Sequence, residues 1–384
     1  MSTTEIIGTD REVNSAVDRF TSAETWERAG VLWANHQKRP LVCCRVVSET
    51  HDVRTFSFSA QDGLPFSFEP GQFVTVSPIV NGEPLTRCYT ISSPPTRPYT
   101  LSITVKRVPG GVVSNWLHDN MQPGMTLDAF GPSGIFTPTA NRTRKVLYLS
   151  AGSGVTPLMA MTRAGYDLGM DRDVVFVHSA RTPADIIFRN ELQRMTAETA
   201  RLKVLHVCES AGDESEWNGP LGRLSEAILA EHVPDYKERA VFTCGPAGYM
   251  GAVKAMLLQA GHDPALYHQE SFDFGTLASE AEEAPPAPAA DAGGDVQQSF
   301  TVRLARSGKT FTVCASDKLL AAAKNAGVAV ASSCSQGICG TCKTMVLEGT
   351  VDMQHNGGIR QREIDRGMRL LCCSRPTSDL VLDL

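Results

Sequence analysis

The chain is 384 residues long, 42% hydrophobic, with a formal net charge of −6. That length exceeds one hydrophobic core and predicts a multidomain protein of two or three units; the apolar content excludes wholesale disorder. No run nears the ~18–20 apolar residues of a membrane span, so no membrane span is expected; no nucleic-acid partner is expected either.

Residues 1–39 form an extension without a legible motif. Trp26 and Trp33 stand seven apart, the spacing of a packed helical stripe. The opening residues Met1 to Asp10 lack the basic-then-apolar build of a signal peptide, which predicts a reducing, cytoplasmic setting for the 11 cysteines. Residues 40–141 are β-rich. Val53–Ala60, Phe73–Val80 and Tyr99–Val108 carry Val, Ile, Thr and aromatics, and Asp62-Gly63, Pro70-Gly71 and Asn81-Gly82 mark turns around them. Short strands so spaced predict an antiparallel β-barrel. A helix is expected over Ser114–Asn120 with Ser114 as its cap.

Within this region Arg87-Cys88-Tyr89-Thr90 matches the R-x-Y-[ST] pattern of the ferredoxin–NADP⁺ reductase superfamily, and Gly110-Gly111-Val112-Val113-Ser114 follows. The pair resembles that superfamily's flavin site. Tyr89 supplies a planar partner for the ring, Arg87 a fork for the phosphate, and Thr90 a short hydroxyl near flavin N5. Glycines that open a helix present backbone N–H groups to a pyrophosphate. The resemblance implies that Gly111, Val112, Val113 and Ser114 make the second phosphate contact and that Val105 and Lys106 line the adenine side. The pyrophosphate-type helix start favours FAD over FMN, although FMN members keep a related loop. Taken alone, Arg87 and Tyr89 also read as a cross-strand pair.

Residues 142–272 alternate strand and helix. Lys145–Ser150, Val174–His178, Leu202–Cys208 and Ala240–Cys244 are apolar runs of buried type, which predicts an α/β doubly wound parallel sheet. The turn Gly152-Ser153-Gly154-Val155-Thr156-Pro157 after the first run resembles the superfamily's nicotinamide dinucleotide loop, with Pro157 in the first helical turn. Cys244-Gly245-Pro246 repeats the strand-to-helix placement, and the resemblance sets Cys244 beside the nicotinamide. The bland alternatives are a ligand-free glycine turn and an inert buried thiol. Glu209, which follows the third run, would repel a 2′-phosphate and accept from a ribose hydroxyl, so NADH is expected rather than NADPH; Arg181 argues the other way. His268-Gln269-Glu270-Ser271-Phe272 closes the body. The resemblance gives Glu270 the N5 proton and Phe272 the shielding of the ring, against the alternative of a solvated strand end.

Residues 273–298 carry six acids and no base around Ala284-Pro-Pro-Ala-Pro-Ala-Ala. Such a stretch cannot bury enough apolar surface to fold and reads as a linker. Residues 299–384 carry 11 basic and 7 acidic side chains. They contain Cys334-x4-Cys339-x2-Cys342 and then Cys372, the spacing of a plant-type [2Fe–2S] site. Three thiolates wrap the cluster from one loop and the fourth arrives from a distant segment. A zinc site would show paired C-x2-C knuckles, and only one is present. The segment resembles plant-type ferredoxins, which implies an α+β (β-grasp) domain; Cys373 reads as packing rather than ligation.

Barrel, nicotinamide unit, linker and ferredoxin in this order resemble the reductase components of two-component oxygenases. The nearest are those serving glycine betaine and related quaternary-amine Rieske monooxygenases, together with the hybrid-cluster-protein reductases. The resemblance implies an oxidoreductase that moves electrons from NADH through FAD to the cluster and on to a separate oxygenase; the basic excess over 299–384, unlike the acidic plant-type ferredoxins, predicts an acidic docking surface on that partner. Hybrid-cluster protein, a cytochrome or a diiron hydroxylase is the alternative partner.

Overall fold

The computed structural model describes residues 38–138, 143–169, 172–271, 298–328, 330, 332, 337, 340–355, 358–359 and 361–384. Trp26 and Trp33, linker residues 273–297, Phe272 and the expected ligands Cys334 and Cys339 lie outside them.

The first unit holds β1 (Arg39–Ser48), β2 (Val53–Ala60), β3 (Phe73–Ser77), β4 (Ile79–Val80), β5 (Glu83–Pro84), β6 (Arg87–Thr90), β7 (Leu101–Lys106) and β8 (Thr126–Ser133). Six of these form one antiparallel sheet in the order β6-β3-β8-β1-β2-β7, with β4 and β5 as a separate hairpin. The two edges meet. Ile91 bridges Ile103, and the Ser92 N–H donates to the Ser102 carbonyl at 2.8 Å, which closes the barrel. Alternation puts Phe56, Phe58, Val74, Val76 and Ile103 into one core, each side chain contributing about 1.5–3 kcal/mol by leaving water. The run expected over Phe73–Val80 breaks at Pro78, which has no N–H for a ladder. The helix between β7 and β8 spans Val112–Asn120, and Gly111, not Ser114, is its cap. Ser114 sits inside the first turn, where its hydroxyl donates to the Gly111 carbonyl at 3.4 Å and accepts from the Val108 N–H at 3.3 Å.

The second unit is a parallel sheet of β9 (Lys145–Ala151), β10 (Asp173–Ala180), β11 (Leu202–Cys208), β12 (Ala240–Gly245) and β13 (Tyr267–Ser271). Their order is β11-β10-β9-β12-β13. The order of strand addition reverses between β9 and β12, a topological switch point that opens a crevice at their carboxyl ends. Helices Val155–Asp167, Arg189–Glu198, Glu226–His232 and Ala247–Gln259 accompany the sheet. Both faces are covered: Val146, Tyr148, Phe176 and Phe242 pack on one, Leu147, Leu149, Val177 and Val241 on the other. Strands buried on both sides read as unbroken apolar runs, which is why they were visible in the sequence.

The third unit holds β14 (Ser299–Leu304), β15 (Thr310–Cys314), β16 (Lys343–Glu348), β17 (Val351–Met353), β18 (Met368–Leu370), β19 (Ser374–Pro376) and β20 (Leu380–Leu382). Five form a mixed sheet in the order β15-β14-β20-β16-β18, and the helix Leu319–Asn325 buries Leu319 and Leu320 in its core. No helix among the described residues is long and apolar enough to cross a membrane.

Barrel and parallel sheet are pinned together by arginines. Arg163 grips Glu191 through two hydrogen bonds of 2.8 and 2.6 Å, lies 4.5 Å from the Phe188 ring centroid and donates to the Ser92 carbonyl at 2.6 Å. Arg97 clasps Asp167 at 3.0 and 2.7 Å. Planar forks of this kind fix orientation as well as distance.

Candidate functional site

A cleft of about 420 Å³ runs between the barrel and the loop after β9. Arg87, Cys88, Tyr89, Thr90, Lys106 and Gly111 to Ser114 line it, with Ser153 and Thr156 from the opposite side. Two segments far apart in sequence thus meet at one cavity. Gly110 has φ +74°, which L side chains disfavour. A Cβ on Gly111 would lie 2.7 Å from Ser114 Oγ, so glycine keeps the helix start tight against the cleft. That helix has no acid in its first turn to repel an anion. Thr90 is buried and its Oγ1 finds no hydrogen-bond partner among the described residues. A buried hydroxyl left so costs free energy unless a ligand completes it, and it lines the cleft. Burial also raises the Tyr89 phenol above its ordinary pKa, keeping the ring neutral. These features fit a flavin. Val105 differs from expectation: its side chain packs in the barrel core, and only Lys106 reaches the cleft.

A second cleft, also about 420 Å³, opens at the carboxyl ends of the parallel strands. Gly152, Ser179, Arg181, Glu209, Arg223, Pro246 and Tyr249 are among its walls. Gly152 has φ +52° and its missing side chain would point into open space. Gly154 is the reverse case: a Cβ there would lie 2.3 Å from the Cys244 carbonyl oxygen and 2.6 Å from Gly245 Cα. The two predicted loops therefore touch backbone to backbone. Gly245 in turn lies under Tyr249, whose Cδ1 would stand 2.8 Å from an added Cβ. Pro157 is buried in the first turn of the following helix. Arg181 is held by Asp185 at 3.0 Å and Asp52 at 3.7 Å, while Arg223 stands 3.4 Å from Glu209.

Cys244 and Glu270 are partners on adjacent parallel strands. Burial, then the neighbouring Glu270, drives the Cys244 thiol well above its usual pKa, so it stays protonated. Glu270 is half-buried as a residue, yet its Oε2 is sealed from solvent with no partner among the described residues. Burial, then Cys88, pushes its carboxyl up to about 8. The protein thus keeps a carboxylic acid that can give or take a proton near neutral pH.

In the third unit Cys342 and Cys372 are buried. The Gly337 N–H donates to Cys372 Sγ at 3.2 Å and the Cys372 N–H to Cys342 Sγ at 3.4 Å. Gly337 and Gly340 both have φ +72°, and a Cβ on Gly340 would lie 2.6 Å from the Gly358 carbonyl. Amides aimed at sulfurs on a glycine-turned loop suit thiolates holding a cluster. Cys373 turns elsewhere, its thiol donating to the Leu370 carbonyl at 3.6 Å.

Sequence reasoning missed the junctions. Asp52 pairs with Lys106 at 3.2 Å between the two clefts. Thr75 Oγ1 lies 3.0 Å from Thr341 Oγ1, and Thr86 Oγ1 donates to the Ser332 carbonyl at 3.0 Å, so the third unit rests on the barrel. Strand parity would have placed Thr75 opposite Cys88, but nothing local signals a contact across 266 positions.

The oxidoreductase FAD-binding domain model matches residues 41–137, the oxidoreductase NAD-binding domain model 148–255, and the 2Fe-2S iron-sulfur cluster binding domain model 302–377. A glycine betaine monooxygenase reductase subunit of Pseudomonas aeruginosa (strain UCBPP-PA14) is 45% identical, over 91% of this chain and 96% of its own. A stachydrine N-demethylase reductase subunit of Rhizobium meliloti (strain 1021) is 42% identical, over 90% and 96%. Among solved structures, phthalate dioxygenase reductase superposes with a TM-score of 0.52 at 27% identity, covering 90% of this chain and 97% of that one.

Proposed function

This chain belongs to the family of the glycine betaine monooxygenase reductase subunits, and from that membership we propose that NADH is its electron donor and a separate Rieske-type oxygenase, acting on glycine betaine or a related quaternary amine, its acceptor. It is an oxidoreductase whose bound groups are FAD and a [2Fe–2S] cluster. FAD, when bound, accepts a hydride as an electron pair and releases electrons one at a time, as a cluster requires.

The observation that carries this reading is the loop Gly152–Thr156, which serves both clefts: Gly152 walls the dinucleotide side, Ser153 and Thr156 the flavin side. In this reading Arg87 and the helix start at Gly111–Ser114 hold phosphates, Tyr89 flanks the ring, and Thr90 and Glu270 serve N5. Cys244, Gly245, Pro246 and Phe272 frame the nicotinamide, and Cys334, Cys339, Cys342 and Cys372 hold iron. The domains run 40–141, 142–272 and 299–384, after an extension of 1–39 and around the linker. NADH rather than NADPH is supported by Glu209 beside Arg223, and by Arg181 already paired with two carboxylates. The excess of basic side chains over residues 299–384 suits an acidic docking surface on the partner. The free thiols of Cys43, Cys44, Cys208, Cys244 and Cys314 suit a reducing, cytoplasmic setting.

The test is reconstitution. The purified protein is given NADH or NADPH and a panel of purified oxygenases, each with its quaternary amine, and demethylated product is measured. Product with NADH, a kcat/KM preference for NADH over NADPH and a reduced-cluster EPR signal support the reading. Efficient reduction of a cytochrome, a diiron hydroxylase or hybrid-cluster protein, with no product from any Rieske oxygenase, would overturn it.

A further inference from the structure

The outer face of the barrel carries an unexpected dry polar spot. Val74 and Val76 of β3 point into the barrel core, so Thr75 between them points out. An outward threonine on a barrel wall is ordinarily wet, yet Thr75 is only 2% exposed. Its cross-strand partner is Cys88 of β6, with Thr75 Oγ1 and Cys88 Sγ 3.3 Å apart. Thr341, 4% exposed, meets this pair: its Oγ1 is 3.0 Å from Thr75 Oγ1 and 3.9 Å from Cys88 Sγ. Thr341 immediately precedes Cys342. At the other end of the same loop Ser332, two residues before Cys334, accepts from Thr86 through its carbonyl. Both flanks of the cluster loop therefore rest on β3, β6 and the residue just before β6, and Cys88 also walls the flavin cleft.

We propose that Thr75 and Thr341 are positioning residues: their hydroxyl pair seats the cluster loop on the barrel and sets the approach of cluster to flavin. The inference rests on the electron-transfer reading above and adds to it which contact governs the flavin-to-cluster step. In that step one electron leaves the flavin reduced by NADH and is gained by the cluster, and the second follows once the first has gone on to the partner. A neutral hydroxyl pair suits a contact that must form and part in every cycle. Each hydroxyl exchanges its partner for water on release, so parting leaves no buried charge behind. While the loop is seated, the side of it that bears Thr341 is closed to any partner protein.

The experiment uses the full-length protein with flavin and cluster bound. Thr75→Val and Thr341→Val keep shape and remove the hydroxyl; Thr341→Ser keeps the hydroxyl. Anaerobic stopped-flow with NADH follows flavin bleaching and cluster reduction separately, with rapid-freeze EPR for the cluster. Thr75→Val is expected to leave flavin bleaching within about twofold and to slow cluster reduction between about tenfold and a hundredfold, the effect of misplacing a reacting group by an ångström. Thr341→Ser should restore the rate that Thr341→Val loses, and the double valine variant should be no slower than either single one, because the two hydroxyls act as a unit. An unchanged cluster potential and EPR spectrum in Thr75→Val, whose site lies on the barrel, separates seating from damage to the ferredoxin. Wild-type cluster reduction in Thr75→Val, or additive losses in the double variant, would overturn the proposal. Failure of the wild-type protein to bleach its flavin with NADH would instead sink the electron-transfer reading.

Discussion

Gly154→Ala isolates one contact at the centre of the molecule. The backbone there has φ −64°, an ordinary value, so alanine meets no φ penalty; at this capping position it gains no interior helix propensity either. The obstacle is contact. An added Cβ would stand 2.3 Å from the Cys244 carbonyl oxygen, against 3.4 Å for the start of ordinary contact, so the two loops must part by 3.4 minus 2.3, or 1.1 Å. The crowding atoms are backbone on strand β12, with no rotamer to yield. Overpacking of this kind costs about 1–3 kcal/mol, which translates to about five- to 140-fold in a binding or transition-state equilibrium. Gly152→Ala is the contrast, with open space for the methyl but φ +52°, a strain of about 1–2 kcal/mol without displacement. The assay pairs thermal unfolding with stopped-flow hydride transfer from NADH. Gly154→Ala should lower Tm and slow hydride transfer at least about fivefold while flavin content stays normal; Gly152→Ala should lower Tm alone. A Gly154→Ala protein with wild-type Tm and wild-type hydride transfer would show that the two loops are not in rigid contact.

Glu270 makes stability fall with pH. Its carboxyl titrates at about 8 when folded against an ordinary 4.5. The cost of ionising it is therefore absent below pH 4.5, grows as pH rises, and is complete above 8. Glu270→Gln should gain on the parent protein by on the order of 2 kcal/mol between pH 5 and 8, less than the full linkage value because water reaches part of the side chain; urea midpoints that stay parallel across that range would contradict this. The linker supports a different expectation. A tether of this composition and length would hold the ferredoxin at an effective concentration on the order of mM while permitting both loading and delivery. Shortening residues 273–298 should slow reduction of the partner and spare reduction of flavin by NADH; stopped-flow traces with both steps unchanged would refute it.

Much of this architecture was legible because its signals are local. Val53–Ala60 and Leu202–Cys208 form strands with the bounds expected from their apolar pattern. The glycine loops before Val112 and Val155 announced helix starts, and the thiol spacing is fixed by what one loop can wrap. The errors were also local in origin. Ser114 has the chemistry of a cap, but two glycines let the chain enter the helix earlier, and the hydroxyl folded back onto Gly111 instead. Val105 and Lys106 are neighbours whose side chains leave opposite faces of a strand, so only one could reach the cleft. What no window of sequence could show is the seating of Thr341 on Thr75, or Arg163 reaching across to Ser92. Those contacts depend on three separately folded sheets meeting, and no periodicity encodes that meeting.

The ferredoxin sheet has a consequence for biogenesis. Its last strand, β20, lies at the centre, paired in parallel with β14 and antiparallel with β16. The Arg306 guanidinium then grips Asp383 with two hydrogen bonds of 2.7 Å. A chain released after residue 379 would carry all four proposed cysteine ligands yet lack the seam joining the halves of the sheet. Cluster insertion should thus wait until β20 has joined the sheet, and a reductase truncated before it would keep the flavin bands but lack the absorption of a cluster.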